Sequence, residues 1–184
     1  MKALLERLPS WLRRSHPTVL PPVGIRVNVP RSIMRRLRLT TQPTVTSREP
    51  LAFLLVRYAS EDVRDVVVAF GVLPFVDEAY VDGDAGANFD TRWSIDVANK
   101  QIRRNAGLLL AHSHGGAGRP AFSRVDQETN VHVMVPLSYG VDVAPYGAIV
   151  LSNNDETAVV TVKGRLRRAR IVIVADRVGA LEAA

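Results

Sequence analysis

The sequence predicts an α/β domain in which helices pack on a sheet, and three observations carry that prediction. Valine-rich or alternating runs of strand character recur from Ile25 to Val174, bounded by glycine, proline and asparagine. Two stretches between them instead place apolar residues at helical spacing. At 184 residues, with 47% hydrophobic and 23% charged, the chain has the size and composition of one ordinary globular domain.

Residues 1–22 form a basic amphipathic segment and a stiff proline-rich linker. Leu4, Leu5, Leu8, Trp11 and Leu12 lie at helical spacing among Lys2, Arg7, Arg13 and Arg14, and Pro17, Pro21 and Pro22 follow. The domain then spans 23–176, and 177–184 is a tail. Ile25, Val27 and Val29 alternate with polar neighbours as a half-buried strand does. Pro30 opens a helix that buries Ile33, Met34 and Leu37 and turns Arg31, Arg35, Arg36 and Arg38 largely the other way.

Residues 41–50 read as loop, Leu51–Val56 as an apolar strand, and Val63–Leu73 and Phe75–Val81 as two consecutive strands. Asp82-Gly83-Asp84-Ala85-Gly86 reads as a turn and not a calcium loop, because Trp93 stands where the bidentate glutamate belongs. Ser94–Asn105 is an amphipathic helix that turns Ile95, Val97, Ala98 and Ile102 to the sheet, with Gly107 closing it. Further on, a helix runs from Ser123 to about Val135. Tyr146–Leu151, Ala158–Lys163 and Ile171–Val174 are strands, the first two joined by a turn at Asn153-Asn154-Asp155.

The chain has no cysteine, which excludes disulfides, thiolate zinc ligands and a cysteine nucleophile. No apolar stretch approaches the roughly 18 residues of a membrane span, and a cytoplasmic protein is expected. A net charge of +6 and a pI near 10.3 create a positive field toward acidic proteins, nucleic acid or anionic membrane. The basic clusters at 31–38 and at Lys163, Arg165, Arg167, Arg168 and Arg170 have no aromatic residues interleaved. Solvated faces are therefore expected there, not a nucleic-acid site.

The chemistry concentrates in residues 108–126, LLLAHSHGGAGRPAFSRVD. Leu108–Ala111 is too short for a helix and is followed by glycines and Pro120, so it reads as a buried strand ending in His112 and His114. Residues two apart on a strand share a face, about 7 Å apart, so both imidazoles can converge on one point. Zinc accepts histidine nitrogen and carboxylate oxygen in a tetrahedral shell, and Asp126 is the natural third ligand. Ser123 as N-cap of the next helix puts Asp126 one turn on, facing the histidines. Two histidines and one carboxylate leave a fourth position for water, as in a catalytic site. His132 falls on another helical face and is expected to pack or to hydrogen-bond.

His112-Ser113-His114, followed by Ser123 and Asp126, resembles the JAMM signature of the JAB/MPN metalloprotease family: His-x-His, a short loop, then Ser-x-x-Asp. That signature includes a glutamate well upstream, just ahead of a strand, and Glu49 before Pro50 and Leu51 matches its place. Two departures stand out: Gly115 replaces the family's usual proline, and the His114–Ser123 loop is one residue longer than in common eukaryotic members. The resemblance implies a single JAB/MPN-type domain with a central curved mixed sheet flanked by helices, in the cytidine-deaminase-like manner.

It also implies a Zn2+-dependent isopeptidase with zinc on His112, His114 and Asp126. Glu49 would be the general base and then the proton donor to the leaving amine, and Ser123 would donate a hydrogen bond to the oxyanion. The implied partners are a ubiquitin-like protein or its conjugates, with the activating and conjugating enzymes of the same pathway. The compact chain looks like prokaryotic JAB proteins of bacterial ubiquitin-like conjugation and antiphage systems. Capture of an extended substrate tail at a sheet edge is the expected binding mode.

Competing readings are a non-catalytic MPN-type scaffold, disfavoured by filled ligand positions, and a RadC-like nucleic-acid-associated protein, permitted by the basic charge. A Ser-His-Asp triad lacks the Gly-x-Ser-x-Gly elbow around Ser123. The plainest alternative is histidines ending a sheet and Ser-x-x-Asp capping a helix.

Overall fold

The alternation at Ile25–Val29 forms strand β1 (Ile25–Pro30), with its odd positions buried. Pro30 then precedes helix α1 (Arg31–Thr40), whose Met34 and Leu37 are buried. The remaining elements are β2 (Ala52–Tyr58), β3 (Val66–Pro74), α2 (Thr91–Ile102), β4 (Gly107–Ser113), α3 (Arg124–Thr129), β5 (Tyr146–Leu151), β6 (Glu156–Val162) and β7 (Arg165–Val174). The computed structural model describes residues 25–43, 49–59, 66–81, 89–102, 105–129, 144–162 and 165–176. The segment at 1–22, the Asp82–Gly86 turn, the helix beyond Thr129, His132 and the tail lie outside the described residues.

The expected sheet flanked by helices is not what forms. The seven strands close into a mixed barrel in the order β1-β3-β2-β4-β5-β6-β7, with β1 completing the ring by pairing in parallel with β7. The physical reason is β1, which pairs in parallel with β3 through Arg26–Asn28 and with β7 along its whole length. Closure pairs each described strand on both sides, except that β1 meets β3 only at Val66–Val68, so the expected capture of a substrate tail at a sheet edge is confined to the remainder of β3.

Two apolar layers follow from the two faces of the strands. The inner layer joins Val27, Leu54, Val67, Leu109, Ile149, Val160 and their neighbours, with Met34 and Leu37 of α1 packed into it. The outer layer covers β2, β4 and β5 and holds Phe53, Phe75, Leu108, Leu110 and Tyr146 beneath Val97 and Ala98 of α2. Its aromatic centre is Phe75, with ring centroids 4.6 Å from Trp93 and 4.8 Å from Phe53.

Three local expectations change. Phe75–Val81 is not a strand, because Asp77–Ala79 makes a 3-10 turn that buries Phe75 and Ala79 while Val76 and Val81 stay exposed. Ile95 of α2 points outward and is 42% exposed. Gly107 begins β4 instead of closing α2, and Asn105 takes the left-handed conformation there, at φ 53°. Glycine is needed at 107 because a Cβ would lie 1.8 Å from the Pro145 carbonyl oxygen at the start of the parallel β4–β5 pair.

Candidate metal centre

The apolar run Leu108–Ala111 places β4 at the middle of the sheet surface, paired with β2 on one side and β5 on the other. His112 continues the outward register of Leu108 and Leu110 and is 5% exposed. The chain stays extended past the end of β4 because the His114 N–H donates to the Leu151 carbonyl at 2.9 Å. His114 therefore keeps to the same face as His112. The Ser113 hydroxyl, turned to the other side, donates to the same carbonyl at 3.2 Å and accepts from the Gly115 N–H at 3.2 Å.

Gly115 takes a left-handed φ of 63°. A proline, fixed near −65° and without an N–H, could neither adopt that conformation nor donate to Ser113. The departure from the family's pattern at this position thus has a local cause. The loop beyond is fastened to the β5–β6 turn: the Asn153 N–H donates to the Gly116 carbonyl at 2.9 Å, and the Ser152 hydroxyl to the Gly118 carbonyl at 2.6 Å. The Thr157 hydroxyl donates to the Pro120 carbonyl at 2.6 Å.

That path returns the chain to the histidines at α3. Ser123 caps the helix reciprocally with Asp126: its hydroxyl oxygen accepts from the Asp126 N–H at 3.1 Å, and Asp126 Oδ2 accepts from the Ser123 N–H at 2.6 Å. The Ser123 hydroxyl also bonds to the Asp126 carboxylate. Glu49 arrives from the other side on the segment leading into β2. The Leu51 N–H there donates to the Tyr80 hydroxyl at 2.9 Å, and the Leu51 carbonyl accepts from the Phe75 N–H at 3.0 Å.

His112, His114 and Asp126 meet, and Glu49 approaches them on the His112 side. His112 Nε2 lies 2.9 Å from Asp126 Oδ1, His114 Nε2 lies 3.3 Å from Asp126 Oδ2, and the two Nε2 atoms are 3.0 Å apart. Glu49 Oε1 is 3.8 Å from His112 Nε2, and donor atoms of Glu49, His112 and His114 lie within 4.8 Å of one another. Ligands at 2.0–2.1 Å from a tetrahedral zinc stand about 3.4 Å apart, so the separations among His112, His114 and Asp126 are those of one coordination shell, slightly contracted.

The donor set also fits a cation. Two ring nitrogens at 3.0 Å cannot both carry hydrogens toward each other, so the group has more lone pairs than hydrogens to share. Burial acts to raise the Asp126 carboxyl, but the hydrogen bond and charge of His112, with the two bonds to Ser123, outweigh it and hold the group below its ordinary value.

Ser113, Ser152 and Thr157, which set the strand end and the loop, were not singled out by sequence reasoning. A short hydroxyl side chain reads the same in sequence whether it faces solvent or fastens a loop. The turn at Asn153–Asp155 was the one visible sign of this support.

No protein-family profile and no curated protein matches this chain. Among solved structures, the solution structure of protein DSY2949 from Desulfitobacterium hafniense is similar at 13% identity and a TM-score of 0.47, over 82% of this chain and 94% of that one.

Proposed function

We propose that this protein is a zinc-dependent hydrolase of amide or isopeptide bonds, acting on a ubiquitin-like protein or its conjugates. The observation that supports the reading is the approach of His112, His114 and Asp126 donor atoms to within 2.9–3.3 Å, with the Glu49 carboxylate at 3.8 Å. Zinc held by those three side chains would supply a Lewis acid and lower the pKa of a bound water.

Glu49, with its side chain 29% exposed, stands at the rim of the cluster, where it accepts a proton from the attacking water and passes it to the leaving amine. Ser123, whose hydroxyl bonds to the Asp126 carboxylate in this structure, would turn that hydrogen to the carbonyl oxygen as negative charge develops there. No helix among the described residues is long and apolar enough to cross a membrane. The cysteine-free chain suits a cytoplasmic bacterial conjugation or antiphage pathway, whose activating and conjugating enzymes would be further partners.

Glu49→Gln tests the reading. It retains zinc and slows cleavage of an isopeptide-linked conjugate by about 10²–10⁴-fold, the usual contribution of a general base. Cleavage at the wild-type rate would remove the role assigned to Glu49, and a zinc-loaded wild-type protein that cleaves no conjugate would favour a scaffold.

A further inference from the structure

We infer that the barrel carries a second binding surface, separate from the metal centre: an arginine face on β1 and β7 that docks a partner protein through a patch of acidic and aliphatic side chains. In the closed strand order the β1–β7 seam lies three strands from β4 in either direction, on the far side of the barrel from the histidines. A molecule seated there does not reach the metal centre, so this surface serves a partner of its own.

The face is built by register. The inward positions of β1 are Ile25, Val27 and Val29, which leaves Arg26 outside and exposed. Its neighbour across the seam is Arg170, also exposed, and Arg168 follows two residues along β7 on the same side. Arg57 extends the row on β2, its guanidinium 4.2 Å from the centroid of the Phe70 ring. Arginines side by side on adjacent strands repel, and an anion seated between them relieves that repulsion. Among the described residues, arginine side chains pair with carboxylates at Arg38–Glu156 and Arg124–Glu128, neither on this face.

What lies between the arginines selects the partner class. Val66, Val68 and Val172 are half-buried on the same outward face, so aliphatic surface is interleaved with guanidinium groups. A nucleic-acid backbone offers nothing to those valines, and among the described residues the face has no free aromatic ring for a base, since Arg57 already covers Phe70. A protein surface offers both carboxylates for bidentate pairing and methyl groups for the valines.

The test is fluorescence anisotropy on the full chain with two labelled probes, a peptide of alternating glutamate and valine and a single-stranded oligonucleotide. The expected result is preferential binding of the peptide, weakened at least tenfold by R26E/R170E and less than threefold by R35E/R36E, which makes the same charge change on exposed α1 positions. R26Q/R170Q guards against misfolding of the reversal variant: relief of repulsion raises its melting temperature while peptide binding still falls. All three variants keep full zinc loading, which separates this surface from the proposed hydrolase site. Equal weakening by both charge reversals, absence of peptide binding, or tighter oligonucleotide binding that depends on Arg26 and Arg170 would each overturn the inference.

Discussion

Two polar clusters stand side by side at the C-terminal ends of β4 and β5, and they are built on opposite principles. The Ser152–Glu156 turn is tied by backbone and side-chain donors. The Ser152 N–H donates to the Asp155 carbonyl at 2.9 Å, the Asp155 N–H to the Ser152 hydroxyl at 3.0 Å, and Arg38 donates to both the Ser152 carbonyl and the Glu156 carboxylate. At His112, His114, Asp126 and Glu49 the atoms that face one another are ring nitrogens and carboxylate oxygens. A cluster of the first kind is held by its own donors, whereas the second gathers the donor atoms that a cation would bind.

Zinc removal should draw the two clusters furthest apart. A metal present at a thousandfold excess over its Kd stabilises the folded chain by about 4 kcal/mol, so chelation lowers the melting temperature by roughly 10 °C and abolishes hydrolysis. Scanning calorimetry with and without chelator measures this. An unchanged transition would mean that the histidine cluster, like the turn, is self-sufficient.

Arg38→Leu comes next in size. It strips a partly buried carboxylate and a carbonyl of their donor and costs about 2 kcal/mol in urea denaturation, with one zinc per chain still bound. Loss of zinc together with stability would show that the two clusters are one unit.

The smallest effect concerns acid. In the metal-free protein Asp126 titrates below its ordinary 3.8, so its stabilising contribution is fully present above that value and disappears as pH falls through the lower folded value. Glu156 has the opposite sign: burial raises it against the pull of Arg38, so stability declines as pH rises from its ordinary 4.5 through the raised folded value. Asp126→Asn should therefore flatten the loss of urea stability below about pH 4. An unaltered acid limb would contradict the His112 and Ser123 contacts of Asp126.

The meeting of His112, His114 and Asp126 was legible because it rests on short-range rules. Strand alternation puts His112 and His114 on one face, and the Ser123–Asp126 capping box fixes the turn that returns the carboxylate. Glu49 was legible only through its resemblance to a motif, since a loop glutamate before proline carries no signal of its own. Barrel closure was not legible, because it depends on β1 pairing in parallel with two strands far away in sequence, and local periodicity does not encode such partners. Phe75–Val81 misled for a related reason. Its alternation comes from Phe75, Ala79 and Tyr80 packing into the outer apolar layer around a 3-10 turn, and that period resembles a strand's.

Zinc titration of the metal-free chain against a chromophoric chelator tests the central claim most directly. The account predicts one tightly held zinc per chain, abolished by His112→Ala and by Asp126→Ala and retained by Glu49→Gln. No uptake by the wild-type chain, or undiminished uptake after His112 or Asp126 is replaced, would contradict it.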